Sequence, residues 1–434
     1  MENERNVFNE IADQNEEEMK INIVDAIMGS GKTSAAINYI NSLDEDTKVI
    51  YITPYLNEVI RIKEECSEKK FYEPQEYGTK KNGLKKDLLK GRNIVTTHAL
   101  FQHFDDEIIE LCRLQNYILF MDEVADVVDK FEIDPLDARV LTEKYTTVNE
   151  ETGQLMWKEE HSEYSKLGVF YVAKKLCENG CLYMYHGTLM IWMFPVKVFR
   201  AFAQSFILTY LFEAQMQKYY YDYYGIKYEY LYVTGNTRDT YAFTREHQEC
   251  KIEYDYMALV NILDNDRMNR IGDDRYALSK SWFERNRGSS SMEILKKNTV
   301  NFFINMSGKS KSSDNLWTTF KEYRDELKGK GYTKGFAPCT ARATNQYKDR
   351  TNIAYLVNRF YDRNIYNFFH SKGIQMNEDM FALSEMLQFI WRSAIRTGHP
   401  INLYIPSSRM RGLLQTWLNE MHVGYVKDMT QDEK

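Results

Sequence analysis

The stretch IVDAIMGSGKTSAAINYI, Ile23 to Ile40, decides how the rest of the chain is read. Ile23 and Val24 end a short apolar run. Ala26 to Gly31 make a loop with Gly29 and Gly31 two apart, and from Lys32 a helix would gather Ala35, Ala36, Ile37 and Ile40 on one apolar face. Strand, glycine loop and helix in that order suit a nucleotide phosphate. The glycines let backbone N–H groups turn inward, and the helix N-terminus directs partial positive charge at the same point. Lys32 is spaced to reach the β- and γ-phosphates, and the Thr33 hydroxyl to bind Mg²⁺. The pattern G-x-x-x-x-G-K-[ST] is met except at its first position, where Ala26 replaces glycine. The expected nucleotide-binding set is Ala26, Met28, Gly29, Ser30, Gly31, Lys32, Thr33 and Ser34, with ATP and Mg²⁺ as ligands. A chance Gly-Lys-Thr would sit in an ordinary turn; this one follows an apolar run and opens a helix.

Downstream, apolar runs alternate with helical stretches. Lys48–Ile52 (KVIYI) reads as a buried strand and the segment after Thr53-Pro54 as a helix. Asn93–Thr97 (NIVTT) reads as a strand, Ala99–Leu114 as a helix, and Tyr117–Met121 (YILFM) as a strand ending in Asp122-Glu123. Such alternation implies a parallel sheet covered on both faces, and ligands of these sheets collect at the carboxyl ends of the strands. The glycine loop, Thr53-Pro54, Thr96-Thr97 and Asp122-Glu123 all fall there. Asp122 is expected to help hold Mg²⁺, and Glu123 to polarise an attacking water.

Further on, residues 131–193 mix charged and aromatic segments before FILTYLF, Phe206–Phe212, a strand candidate. In KYYYDYYGIKYEYLYV, Lys218–Val233, the tyrosines either alternate along strands or stack on unpaired bases. Residues 234–290 are polar and read as a connector, and Gly308-Lys309-Ser310 lacks the upstream glycine of a phosphate loop. Asn301–Ile304, Tyr355–Phe360 and Ile401–Ile405 supply apolar segments for a second α/β lobe. There FALSEMLQFIWRSAIRTG, Phe381–Gly398, spaces Gln388, Arg392 and Arg396 four apart, which on one helix sets all three on one face. Arginine suits a γ-phosphate because its fork donates two hydrogen bonds and stays charged.

Composition bounds the class. Hydrophobic content of 43% and charged content of 27% are ordinary for a soluble protein. Residues 1–20 are polar and acidic, unlike a secretory leader, and Cys181–Phe212 is broken by His186, Pro195, Lys197 and Arg200, short of the ~20 apolar residues of a spanning helix. No membrane partner is expected, and the six scattered cysteines read as reduced thiols of a cytoplasmic protein. Net charge is −7, yet residues 291–434 carry 21 Lys+Arg against 14 Asp+Glu, a net of +7, and the rest carry −14. A basic cluster (Lys69, Lys70, Lys80, Lys81, Lys85, Lys86, Lys90, Arg92) is either a solvated face or a contact to a phosphate backbone.

In motif and order the chain resembles nucleic-acid helicases of superfamily two, the DEAD/DEAH-like group, in the style of small phage and prophage helicases. AIMGSGKT resembles their Walker A loop, YITPYLNEV the Thr-Pro motif, IVTTHALF the next threonine motif and FMDEV the Asp-Glu box. ILTYLF around Thr209 resembles the coupling motif, ARATNQY (Ala341–Tyr347) the second-lobe motif that meets nucleic acid and nucleotide, and QFIWRSAIR the closing arginine motif. The resemblance covers about residues 21–417. It implies two RecA-like parallel-sheet lobes, an acidic tail at 1–17, lobe one at 18–233 with an insertion at about 131–200, the connector at 234–290, and lobe two at 291–434. It implies ATP hydrolysis between lobes by Glu123, Gln388, Arg392 and Arg396. Single-stranded or forked nucleic acid, DNA favoured, would meet Thr53, Pro54, Thr97, His98, Lys85, Lys86, Lys90, Thr344 and Asn345. Replication or recombination proteins are the implied partners, and a bacterial host cytoplasm the implied location. Two departures stand out: Arg396 follows Arg392 by four residues, where the family usually has three, and Val124-Ala125 follow the Asp-Glu pair. Two other readings stay open, a phage DNA-packaging ATPase and an ATP-switched binding module; the first should carry an acidic nuclease cluster in the C-terminal half, where the acids form no obvious cluster.

Overall fold

A computed structural model describes residues 20–432 apart from 55, 76, 162–167, 188, 248–251, 309 and 341–344. It is an α/β structure of two compact units. The first comprises the described parts of Met1–Asp25, Gly31–Gln248 and Asn364–Gln375, and the second those of Ala26–Ser30, Glu249–Arg363 and Met376–Lys434.

The strands of the first unit are β1 (Lys20–Asp25), β2 (Val49–Thr53), β3 (Phe71–Tyr72), β4 (Asn93–Thr97), β5 (Ile118–Asp122), β6 (Val128–Lys130), β7 (Thr146–Val148), β8 (Leu155–Trp157), β9 (Leu182–Tyr185), β10 (Leu189–Met193), β11 (Gln204–Thr209), β12 (Glu229–Thr234) and β13 (Ala242–Thr244). Eight of them form one sheet, in the order β13-β12-β1-β11-β5-β2-β4-β3, parallel except where β13 turns back on β12. Its central strands are buried along their length, as the apolar runs require of a sheet covered on both faces. Phe120 and Phe206 stack across β5 and β11 with centroids 4.5 Å apart.

Three expectations change here. The helix expected over Ala99–Leu114 is two, His98–Phe101 and Asp106–Leu114, because the Asp105 carboxylate accepts from the Ile108 amide at 3.1 Å and starts the second afresh. The tyrosine-rich segment is not strand throughout: Met216–Tyr223 is helical, and β12 begins only at Glu229. Three consecutive buried rings, Tyr219, Tyr220 and Tyr221, suit a helix embedded on most sides, and the Tyr220 hydroxyl donates to the Phe194 carbonyl at 2.7 Å. The expected connector, 234–290, holds β13 of the first sheet, a strand of the second, and the helix Lys280–Asn286 with buried Phe283. Its polar composition reflects short elements that each bury one side.

Between β5 and β11 the chain forms the antiparallel sheet β6-β10-β9, the hairpin β7-β8 and the helix Val169–Glu178. Leu141, Leu155, Leu182 and Met190 give this region its own core. The helix Arg363–Ser371, far along the chain, also contributes to the first unit: Phe368 packs against Tyr185 and Tyr223 at 5.6 Å each, and Phe369 against Tyr223 at 6.2 Å.

The second unit is built on β14 (Val260–Ile262), β15 (Asn315–Thr318), β16 (Asn352–Tyr355) and β17 (Ile401–Tyr404), all parallel, in the order β14-β17-β16-β15. Asn301–Ile304 is helical, at the end of Ser290–Asn301 and in the turn beyond it. A ladder of amides crosses this sheet: Asn261 donates to Asn402 at 2.9 Å, Asn402 to Asn352 at 2.9 Å, and Asn352 to Asn315 at 3.3 Å. Each pairs only in one register, so the ladder specifies strand alignment that uniform apolar runs would leave loose. Cys66, Cys112, Cys177, Cys181 and Cys339 are free and buried; Cys250 lies outside the described residues. Among the described residues no helix is long and apolar enough to cross a membrane.

Candidate functional site

The carboxyl edge of the eight-stranded sheet collects the motif residues in register. Asp25 lies opposite Thr209, Leu208 opposite Asp122, Ile52 opposite Met121, and Thr53 opposite Thr97. β1 ends at Asp25, the glycine loop follows, and Lys32 opens the helix Lys32–Asn41. Gly29 and Gly31 take φ of +90° and +84°, the left-handed backbone that glycine adopts without strain. Among the described residues no side chain caps that helix, and its first turn has no acid to oppose an anion.

Two residues at this edge hold left-handed backbone without being glycine: Glu123 (φ +65°) and Leu211 (φ +55°). Each is pinned. The Glu123 amide donates to the Leu208 carbonyl at 2.8 Å. The Asp25 carboxylate accepts from the Leu211 and Phe212 amides at 2.7 and 2.8 Å, tying the end of β1 to the turn after β11. Burial still raises the Asp25 carboxyl above its ordinary value, against those two hydrogen bonds and Lys32. Strained backbone held this firmly gathers at sites that fix a side chain's direction.

Asp122 is the electrostatic centre. Desolvation, then the Glu123 and Glu58 carboxylates, push it up to about 7, against the pull of Lys32 and Arg61. A carboxylate so placed favours a cation beside it. Together with the Thr33 hydroxyl it offers hard oxygen donors, the set suited to Mg²⁺ held by one or two protein groups plus substrate phosphates. Among the described residues no cluster of three or more His, Cys, Asp or Glu could hold a metal without such a substrate. The Thr209 hydroxyl, fully buried between β1 and β5, has no hydrogen-bond partner among the described residues, so a polar ligand or water there would satisfy it. His98 Nε2 lies 2.8 Å from the Asp122 carbonyl oxygen, so its ring braces the backbone of the acidic pair. Ser34 accepts from Arg61 at 3.5 Å, and Arg61 also pairs with Glu58 and Glu65.

Thr53 is buried, with Pro54 and Thr97 half-buried beside it. Thr344 lies outside the described residues; Asn345 begins the turn Asn345–Tyr347. The basic cluster is largely engaged. Lys81 and Lys85 share Asp105 at 2.8 Å each, Lys85 also meets Glu107, Arg92 pairs with Asp87 at 2.7 Å, and Lys86 sits 4.3 Å over the Tyr77 ring. Lys90 is exposed.

The arginine stretch departs from the single helix face expected of it. The helix Glu378–Ile390 carries Gln388 and stops; Trp391 to Ser393 form a turn, and Arg396 lies on a short 3-10 helix, Ala394–Thr397. Ser393 is the reason. Its hydroxyl donates to the Ile390 carbonyl at 2.6 Å, and its extended backbone ends the winding. Arg392 is therefore buried in the turn while Arg396 is exposed. Arg392 is close enough to act on the Tyr355 phenol, the last residue of β16. Nearby, Arg359 donates to Glu385 at 2.9 Å.

Sequence reasoning missed Asp25, Arg61 and Arg359. Asp25 was findable: like Asp122, it is an acid ending a buried strand. Arg61 and Arg359 carry no local signal.

Two family models match the chain: "YonV C-terminal Rossmann-like domain" over residues 254–418 and "YonV middle domain" over residues 128–192. A curated relative, the "SPbeta prophage-derived uncharacterized protein YonV" of Bacillus subtilis (strain 168), is 43% identical over 412 residues, 92% of this chain and 98% of the relative. Among solved structures, "XPD_APO" aligns at 12% identity over 89% of this chain and 92% of its own, with a TM-score of 0.47. The DUF1998 helicase MrfA aligns at 10% identity over 92% of this chain and 48% of its own, with a TM-score of 0.29.

Proposed function

This chain belongs to the YonV family, and from that premise we propose that it is an ATP hydrolase coupled to nucleic acid, a helicase or single-strand translocase. The observation that carries the reading is the convergence at one sheet edge of the glycine loop with Lys32 and Thr33, the Asp122-Glu123 pair and the orphaned Thr209 hydroxyl. The motif order along the chain supports the coupling to nucleic acid, and the prophage origin of the relative favours DNA.

In this reading the loop amides and Lys32 bind the β- and γ-phosphates, and Thr33 and Asp122 would hold Mg²⁺, which would supply positive charge against the phosphate oxygens. Glu123 takes a proton from water as the oxygen attacks the γ-phosphorus; the bond to the β-phosphate oxygen breaks, leaving ADP and phosphate. Arg392 and Arg396 supply positive charge to the departing phosphoryl group. The pinned backbone at Glu123 keeps the base aimed without reorganisation.

The test is ATP turnover with and without single-stranded DNA and RNA, in wild type and Glu123→Gln. Stimulation by a strand, with turnover in the variant down about 10²–10⁴-fold and ATP still bound, is the expected result. Wild-type turnover in Glu123→Gln would remove the base from this mechanism.

A further inference from the structure

Gly31, the residue before Lys32, meets an aromatic ring. A Cβ built there would lie 2.5, 2.5 and 2.6 Å from Cδ1, Cε1 and Cζ of Tyr241. Three consecutive ring carbons at equal distance place that point over the face of the ring, not beside its edge. Gly31 thus needs to be glycine twice over, for its φ of +84° and for this ring.

Tyr241 is held there by a built turn. It joins β12 to β13, closed by the pair Thr234↔Ala242. The Thr240 hydroxyl accepts from the Asn236 and Thr237 amides at 3.2 and 3.0 Å, and the Tyr241 amide donates to the Thr237 carbonyl at 3.1 Å. Asn38, on the helix that Lys32 opens, donates to the carbonyls of both Arg238 and Tyr241 at 2.9 Å. The same helix therefore positions the phosphate-binding residues and the tyrosine.

Phe243, two residues on and equally half-buried, makes the ring contacts of this hairpin, stacking on Phe206 at 5.5 Å and meeting Tyr39 at 5.9 Å. Tyr241 stays half-buried, and among the described residues no other ring lies against it. A rigid aromatic side chain, partly exposed and fixed to the phosphate loop, is suited to the flat, apolar part of a nucleotide.

Building on the nucleotide reading above, we infer that Tyr241 stacks on the base of the bound nucleoside triphosphate and sets what the site accepts. Stacking uses the π-face that every base has, so the site discriminates weakly between ATP and GTP but strongly against a triphosphate with no base.

The experiment measures equilibrium binding of Mg·ATP and of inorganic tripolyphosphate to the full chain as wild type, Lys32→Ala, Tyr241→Ala, Tyr241→Leu and Tyr241→Phe. Tyr241→Leu keeps apolar contact with Gly31 without an aromatic face, which guards against misfolding of the alanine variant. The expected result is ATP affinity about tenfold or more weaker in the alanine and leucine variants, tripolyphosphate affinity unchanged, and Tyr241→Phe like wild type. Normal ATP binding by the alanine and leucine variants overturns the inference, as does an equal loss of both ligands, which would make the ring a prop for the loop. Wild type binding neither ligand, or Lys32→Ala binding both normally, overturns the nucleotide reading itself and this inference with it.

Discussion

The carboxyl edges of the two sheets differ in the charge they bury. The edge of the first gathers Asp25, Asp122 and Glu123, and its central carboxyl is pushed up to about 7 by desolvation and neighbouring acids. Around the end of β16 in the second unit lie guanidinium groups, Arg392 buried in its turn and Arg359 against Glu385. A buried carboxylate is stabilised by a cation and a buried guanidinium by an anion. The two edges thus differ in which ionised group the fold has desolvated, a carboxyl at the first and a guanidinium at the second.

The sharpest way to break this contrast is to remove the guanidinium. Arg392→Ala should lower turnover by about 10³–10⁵-fold, the range for an arginine acting on a departing phosphoryl group, while ATP affinity changes far less. Single-turnover kinetics alongside equilibrium binding separate the two effects. Unchanged turnover would leave the second edge a packing feature.

The first edge is tested through folding. The ordinary value for Asp122 is 3.8 and its folded value about 7, so the native state binds a proton that the unfolded chain has released. Stability from this group is present below pH 3.8 and lost as pH rises through about 7. Asp122→Asn should therefore melt higher than wild type without Mg²⁺, the excess growing from about pH 4 to about pH 7 and levelling off above. A difference independent of pH would mean that the desolvated carboxyl is not what sets this edge apart.

The smallest effect concerns charge outside both edges. Because Lys85 is engaged by Asp105 and Glu107, Lys85→Ala should leave the salt dependence of single-strand binding unchanged, whereas Lys86 and Lys90 neutralised together should flatten its slope by about 1.4. Titrations at several salt concentrations decide it. No change in the double variant makes the cluster a solvated face.

What was legible in the sequence follows the same physics. Buried parallel strands must be continuous apolar runs, so β1, β2, β4 and β5 and the residues at their ends could be placed from the chain alone. The glycine loop and Asp122-Glu123 could be placed at the sheet edge because they sit where such runs stop. Periodicity failed at Ser393, since a four-residue spacing is blind to a hydroxyl that takes the last carbonyl of a helix. It could not see Tyr241 either, which meets Gly31 through tertiary structure, nor the amide ladder, whose asparagines pair only once the strands are aligned. The connector misled because polar composition does not distinguish a linker from short elements buried on one side.

The helix Arg363–Ser371 has a practical consequence for anyone dissecting the molecule. A fragment ending at residue 247 retains all eight strands of the first sheet but loses Phe368 and Phe369, and with them the cover on Tyr185 and Tyr223. A single cut there leaves residues 364–375, which belong to the first unit, on the other fragment. The amino-terminal half would need residues 364–375 returned, as a separate peptide or by a rejoined chain order, before its surface is whole.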